Sequence, residues 1–189
     1  MKKEMVEVDN RVIDDHVREI YGRVTYTHKT HEKCADILES RAAVFRNVQI
    51  ALSALTTTGF VAAVLGVGSF AVVAGAFLSA AMFFVSNYTK VEDMGGAAQQ
   101  HKASALQLWW IREKCAALLA HIKIGDRPLD DLVRLRDEML SELYRIYTGA
   151  PRTSSKAYQA ARKALQEQEE MTFSVDELDK MLPEALRRG

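Results

Sequence analysis

Between Arg46 and Lys90 the chain carries no Asp, Glu, Lys or Arg, a gap of 43 residues. All 25 basic and 25 acidic side chains lie outside it, although 48% of the 189 residues are apolar. A soluble globular domain disperses its charges far more evenly. Crossing a bilayer takes about 20 apolar residues at 1.5 Å rise each, so the gap holds two spans. The break falls at Gly66-Val67-Gly68-Ser69, where two glycines and a serine supply turn chemistry. We expect spans at roughly 48–65 and 70–88, within a membrane region of 47–89. The gap begins too far from the N-terminus, and is too long, for a cleaved leader. A buried hairpin in a soluble bundle would need more apolar helices around it than the rest of the chain offers.

Orientation follows from the flanks. Lys33, Arg41 and Arg46 precede the first span, Lys90 and Lys102 follow the second, and the connecting turn is uncharged. The positive-inside rule then places both termini in the cytoplasm. Cys34 and Cys115 lie on that reducing side, so no disulfide framework is expected. A balanced net charge leaves no basic footprint for bulk nucleic-acid binding.

The polar parts, 1–46 and 90–189, read as helices. Ile13, Val17, Ile20 and Val24 recur at spacings of four, three and four, and Ala35, Leu38, Ala42 and Phe45 resume the rhythm. This is an amphipathic helix continuous with the first span. Leu106, Trp109, Trp110, Leu118, Leu119 and Ile122 mark another, ending near Gly125, with the two tryptophans expected in helix-pair packing. Pro128 opens the next, whose stripe is Leu129, Leu132, Leu135, Met139, Leu143 and Ile146, and Gly149-Ala150-Pro151 stops it. A more weakly amphipathic helix covers roughly 154–170. Ser174-Val175-Asp176-Glu177 is a capping-box pattern opening a short helix that Pro183 curtails. No segment alternates with period two for long, so the fold class is all-α.

Chemistry-bearing constellations are sparse. His28 and His31 share a helix face with Cys34 one turn on, but no fourth ligand is suggestively spaced for zinc. We therefore expect a polar patch and neither a metal nor a cofactor site. With no strand there is no phosphate-binding strand–loop–helix, and no nucleophile–base pair suggests an enzyme. The spans are more informative. Gln49, Ser53 and Thr57 fall at i, i+4 and i+8, flanked by Thr56 and Thr58, while Ser79 sits midway along the second span. Their hydroxyls either bond the carbonyl four residues back or line a polar vestibule below an apolar, dewetting constriction. Ala71, Gly75 and Ser79, with a shorter Gly59-based counterpart, form a small-residue stripe that permits close backbone approach.

The run Tyr26-Thr27-His28-Lys29-Thr30-His31-Glu32-Lys33, followed by a span opening at Gln49, resembles the SLATT family. These are bacterial two-span domains associated with SMODS nucleotidyltransferases and SLOG domains. The likeness continues in Trp110-Ile111-Arg112-Glu113-Lys114, in Tyr147-Thr148-Gly149-Ala150-Pro151, in Ala157-Tyr158 and from Thr172 to Pro183. It implies a pore-forming effector of an antiviral conflict system, set off by a nucleotide second messenger or by a partner. That partner would be a separately encoded sensor, a nucleotidyltransferase or a reverse transcriptase. It supplies no catalytic residue. Two helices cannot enclose an aqueous path alone, so a homo-oligomer in the lipid bilayer of the inner membrane is required. The alternatives are a non-conducting membrane adaptor that docks a partner enzyme, and a soluble helical protein whose hairpin inserts only on activation.

Overall fold

A computed structural model describes residues 2–64, 66 and 68–188, with the side chains of 2–9, 62, 63, 68, 69 and 71 left aside. The chain is 87% helical, and the described residues contain no strand. Its elements are α1 (Lys2–Val64), α2 (Gly68–Glu92), α3 (Met94–Ile124), α4 (Leu129–Gly149), α5 (Ser155–Gln166) and α6 (Val175–Met181), then a short 3-10 turn (Glu184–Leu186). The continuity of α1 through the start of the uncharged segment matches the sequence reading. Two compact units result, one of Met1–Lys33 with Ser104–Gly189, the other of Cys34–Ala103.

In the first unit the core is a seam of three helices. Ile13, Val17, Ile20 and Val24 of α1 meet Leu108, Ile111, Cys115 and Leu118 of α3 and Leu132, Met139, Leu143 and Ile146 of α4. Spacings of three and four on each helix bring one stripe inward, as in a coiled-coil seam. The α3 stripe differs from the sequence expectation. Leu106, Trp109 and Trp110 are 66%, 40% and 51% exposed, whereas Leu108 and Ile111 are fully buried. The tryptophans are therefore not core residues. Apolar residues stand on nearly every face of α3, so its pattern does not select a side. The bulky indoles stay at the surface, with the Lys114 ammonium 5.6 Å from the Trp110 ring centre.

Ends form as the local chemistry requires. Gly125 adopts φ +73° just past α3, the left-handed position that glycine takes without a Cβ penalty. Pro128 flanks α4 as its cap, one position earlier than expected. The Ser154 hydroxyl accepts from the Ala157 N–H to start α5, and Ser174 and Glu177 form the full capping box of α6. Helix α5 is shorter than the expected 154–170 and is strongly amphipathic. Its buried stripe is Ala157, Ala161 and Ala164, residues too small to stand out in a hydrophobic pattern.

In the second unit α2 returns antiparallel beside α1. The Phe45 and Tyr88 rings lie 5.2 Å apart, the Gln49 amide donates to Thr89 Oγ1 at 3.0 Å, and Lys102 pairs with Glu39 at 2.5 Å. The turn uses Gly66 at φ +77°. Between α2 and α3 stands the single residue Asp93, at φ +33°, whose carboxylate caps α3 by accepting from the Gly96 N–H at 3.1 Å.

Candidate functional site: an uncovered apolar belt and a clamped polar motif

The uncharged segment is not packed away. Phe70 and Phe77 of α2 are 85% and 75% exposed, and Phe60 and Val64 of α1 are both 70% exposed. Val61, Val72, Val73, Phe83 and Phe84 are exposed as well. So many exposed large apolar side chains in one segment mark a membrane or protein contact. One segment, Val72–Ile124, includes a stretch long and apolar enough to cross a membrane, none of it buried inside the structure. Its uncharged part runs from 72 to 89. The other expected span, 48–65, includes positions 62, 63 and 65, which lie outside the described side chains.

The polar residues of this segment are placed as follows. Thr56, Thr57 and Thr58 donate to the carbonyls of Leu52, Ser53 and Ala54, at 2.7, 2.9 and 3.0 Å. Each hydroxyl proton is thus satisfied inside its own helix, which makes these side chains tolerable in hydrocarbon. Gln49 is held by Thr89, a partner the sequence does not announce. Ser53 and Ser79 are exposed and Gly59 is half-buried. Gly75 is half-buried, and among the described residues a Cβ built on it would meet nothing within 4 Å. Among the described residues, the small-residue stripe therefore meets nothing close at Gly75 within one chain. The side chain of Ala71 lies outside the described residues.

The motif on α1 is brought together with distant segments of the first unit. His28 and His31 are buried. His28 Nδ1 lies 2.8 Å from the carbonyl oxygen of Ala105, which can only accept, so Nδ1 carries the proton. Its Nε2 then faces Glu32 at 3.5 Å. Among the described residues no group of three or more His, Cys, Asp or Glu is arranged to hold a metal ion. Tyr26 accepts from the Gln166 amide at 2.8 Å and its ring lies 6.2 Å from that of Tyr158. Lys29 pairs with Glu32 at 2.8 Å and with Glu170 at 2.5 Å, and Lys33 reaches Glu170 at 3.4 Å. His31 also lines a cleft with Tyr147, Ala150 and Pro151, so two short motifs far apart in sequence share one corner.

Glu170 is the residue that sequence reasoning missed. It lies in the polar run Gln166-Glu167-Gln168-Glu169-Glu170, which carries no positional signal. The backbone marks it instead, since its neighbours Glu169 and Met171 stand at φ +51° and +73°. Left-handed conformations in non-glycine residues cost roughly 1–2 kcal/mol each. They are held by the two lysines, by the Glu170 N–H donating to the Ala164 carbonyl at 3.0 Å, and by Arg112 against the Met171 sulfur at 3.6 Å.

Hydrogen bonding and the charge of Lys29 hold the Glu170 carboxyl below the usual carboxylate range. Burial alone would lower Lys29, but hydrogen bonds to Glu170 and Glu32 outweigh it and raise the ammonium above its ordinary value. The Glu170 contribution to stability is therefore present above the ordinary carboxylate pKa and lost as pH falls through its lowered value. The Lys29 contribution is present below the ordinary lysine pKa and lost as pH rises through its raised value. The clamp is closed at neutral pH. Glu170→Gln should weaken it by about 1 kcal/mol after allowance for solvent screening of a half-exposed carboxylate. Amide hydrogen exchange of residues 167–172 should speed up accordingly, and unchanged exchange would show that the ion pairs do not hold the turn.

Two further groups are shifted by burial. Burial pushes the Cys115 thiol up to about 11, which keeps it an inert core residue donating to the Met139 sulfur at 3.3 Å. Burial also lowers His101.

No curated protein and no solved structure matches the chain. A family model described as SMODS and SLOG-associating 2TM effector domain family 4 matches residues 13–177. That interval takes in the clamped motif, the apolar belt and the first residues of α6. The chain therefore belongs to this SLATT family of two-transmembrane effector domains.

Proposed function

We propose that this chain is a bacterial inner-membrane effector of an antiviral conflict system. Its spans are 48–65 and 70–88, with both termini in the cytoplasm, and several copies assemble to permeabilise the bilayer. The observation that carries this reading is the uncovered apolar belt. An aqueous surface of that extent is unfavourable by roughly 25 cal/mol per Å2, and lipid removes it. Family membership supports the effector role. The trigger is a nucleotide second messenger or a separately encoded sensor, nucleotidyltransferase or reverse transcriptase. It acts on the helices outside the membrane, and no catalysis by this chain is involved.

In the resting state the outer half of the spans, Phe60 to Leu65 and Phe70 to Phe77, offers water no polar side chain beyond Ser69 at the start of α2. The path therefore stays dewetted and closed. A second reading, a non-conducting adaptor, draws support from the exposed aromatic residues Trp109, Trp110, Tyr144 and Tyr158 on the first unit. Dye or ion leakage from triggered cells separates the two.

Gly75→Ile tests the assembly. A Cβ there touches nothing in its own chain among the described residues, and Ile favours insertion by roughly 0.6 kcal/mol. Membrane abundance should therefore be unchanged. Close approach of a second chain should be lost, with oligomers on cross-linking and triggered leakage falling at least tenfold, while Ala81→Ile keeps both. Undiminished oligomers and leakage in Gly75→Ile would show that the stripe does not assemble the effector.

A further inference from the structure

A single residue, Asp93, separates α2 from α3. Its φ of +33° is left-handed, a conformation that most side chains disfavour and that Asp tolerates better than most. Two features hold it there. The Asp93 carboxylate accepts from the Gly96 N–H at 3.1 Å, one of the donors that the first turn of a helix leaves without a carbonyl. Gly96 makes room for that cap, because a Cβ there would collide with the same carboxylate. At Gly95, among the described residues, an added Cβ would meet nothing within 4 Å. The missing side chain is therefore required at 96 and not at 95.

The elbow also resets the phase of the helix. In α2 the half-buried positions Leu78, Met82, Val85 and Thr89 recur at four, three and four. In α3 the buried positions Met94, Ala98 and His101 recur at four and three. Each run is a stripe along one side of its own helix. Both helices lie beside α1, α2 through Thr89 with Gln49 and α3 through Lys102 with Glu39. Thr89 and Met94 are five residues apart, which on an unbroken helix sets them about 140° apart around the axis. One continuous helix cannot turn both stripes to the same side.

We propose that Asp93 is a two-state elbow, bent in the closed form, whose straightening fuses α2 with α3, turns the second span about its axis and opens the path. A hinge at the end of an element absorbs its change in one or a few residues' dihedrals. With the α3 stripe held in place, the span turns by about 140°. Ala76, Ala80, Phe83 and Asn87, all exposed in the bent form, then replace Leu78, Met82, Val85 and Thr89 on the inward side. Straightening relieves the left-handed residue and gives up the cap, opposing terms that let a modest bias choose between the forms. The inference rests on the proposed effector reading and names the element through which a trigger reaches the spans.

The test is a distance measured in the full-length chain in lipid nanodiscs. Ala81→Cys and Ala103→Cys carry spin labels at exposed positions, and Cys34 and Cys115 are buried. An unbroken helix sets the two positions about 33 Å apart, and a bent one brings them nearer. The otherwise unaltered chain and Gly95→Ala should give the shorter distance. Gly96→Ala denies the cap, and Asp93→Ile puts a branched side chain where φ is positive, so both should move to about 33 Å. The two glycine changes raise helix propensity alike, so a difference between them isolates the cap. Asp93→Asn keeps the acceptor and the tolerance of positive φ and should match the unaltered chain. In cells, Gly96→Ala should raise resting dye leakage at least tenfold, with Gly95→Ala unchanged. An unmoved distance in both Gly96→Ala and Asp93→Ile would overturn the inference and leave the effector reading standing. So would a lengthened distance without resting leakage in a chain that still leaks when triggered. No leakage from any chain, triggered or not, would overturn both.

Discussion

Phe77→Arg is expected to remove the chain from the membrane fraction almost completely. Phe77 is 75% exposed, so in water the change removes little packing and should alter stability by no more than about 0.5 kcal/mol. In a bilayer the same position loses a favourable phenyl and gains a guanidinium. The insertion scale puts that at roughly 3–4 kcal/mol near the centre of a span, or a shift of about 100- to 1,000-fold in the insertion equilibrium. The opposite responses of the two environments make the variant decisive. Alkaline carbonate extraction should recover the unaltered chain in the pellet and Phe77→Arg in the supernatant. Equal partitioning of the two would mean that α2 does not rest in lipid before activation, which is the conditional-insertion alternative.

The largest effect on folding is expected at Leu108, which is fully buried where α1, α3 and α4 meet. Leu108→Ala removes buried methyl groups and leaves a cavity, at a cost of about 2–5 kcal/mol. The thermal midpoint of the first unit should fall by roughly 10 °C or more. Leu106→Ala, two residues away on the same helix, removes the same atoms from a side chain that is 66% exposed. It should change stability by less than about 0.5 kcal/mol. The pair fixes the rotation of α3, because the stripe expected from Leu106, Trp109 and Trp110 would reverse the two results. Melting in detergent followed by circular dichroism at helical wavelengths reads both.

That pair also shows where sequence reasoning reaches its limit. Where a helix has one apolar face, as with Ile13, Val17, Ile20 and Val24, spacing alone picks out the buried stripe. The Ser174–Glu177 cap is equally legible, since it is a local exchange of hydrogen bonds. Helix α3 is apolar on most sides, so its register is decided by the two helices it packs against. Helix α5 buries alanines, whose small surface gives a weak signal while allowing close approach. The charge gap is legible because membrane insertion depends on composition over a long window, whatever the packing.

Within the candidate site, the α1 motif is recognisable as a run, but its counterpart Glu170 is not. A partner 137 or 141 residues away leaves no local trace, and the strained backbone around it is visible only in three dimensions. The threonines of the expected first span carried two readings, and the structure gives each hydroxyl a carbonyl of its own helix. That geometry leaves the lining of a conducting state to be decided by assembly.

The central claim is that the uncharged segment crosses the membrane twice, and topology tests it most directly. Ser69→Cys marks the start of α2, just past the turn, and Thr153→Cys marks the loop before α5, both native cysteines being buried. Intact cells with a permeable outer membrane are treated with a charged maleimide that cannot cross the inner membrane. The account predicts rapid labelling at position 69, and none at position 153 until the cells are lysed. Protection of both positions until lysis, or labelling of both in intact cells, would contradict it.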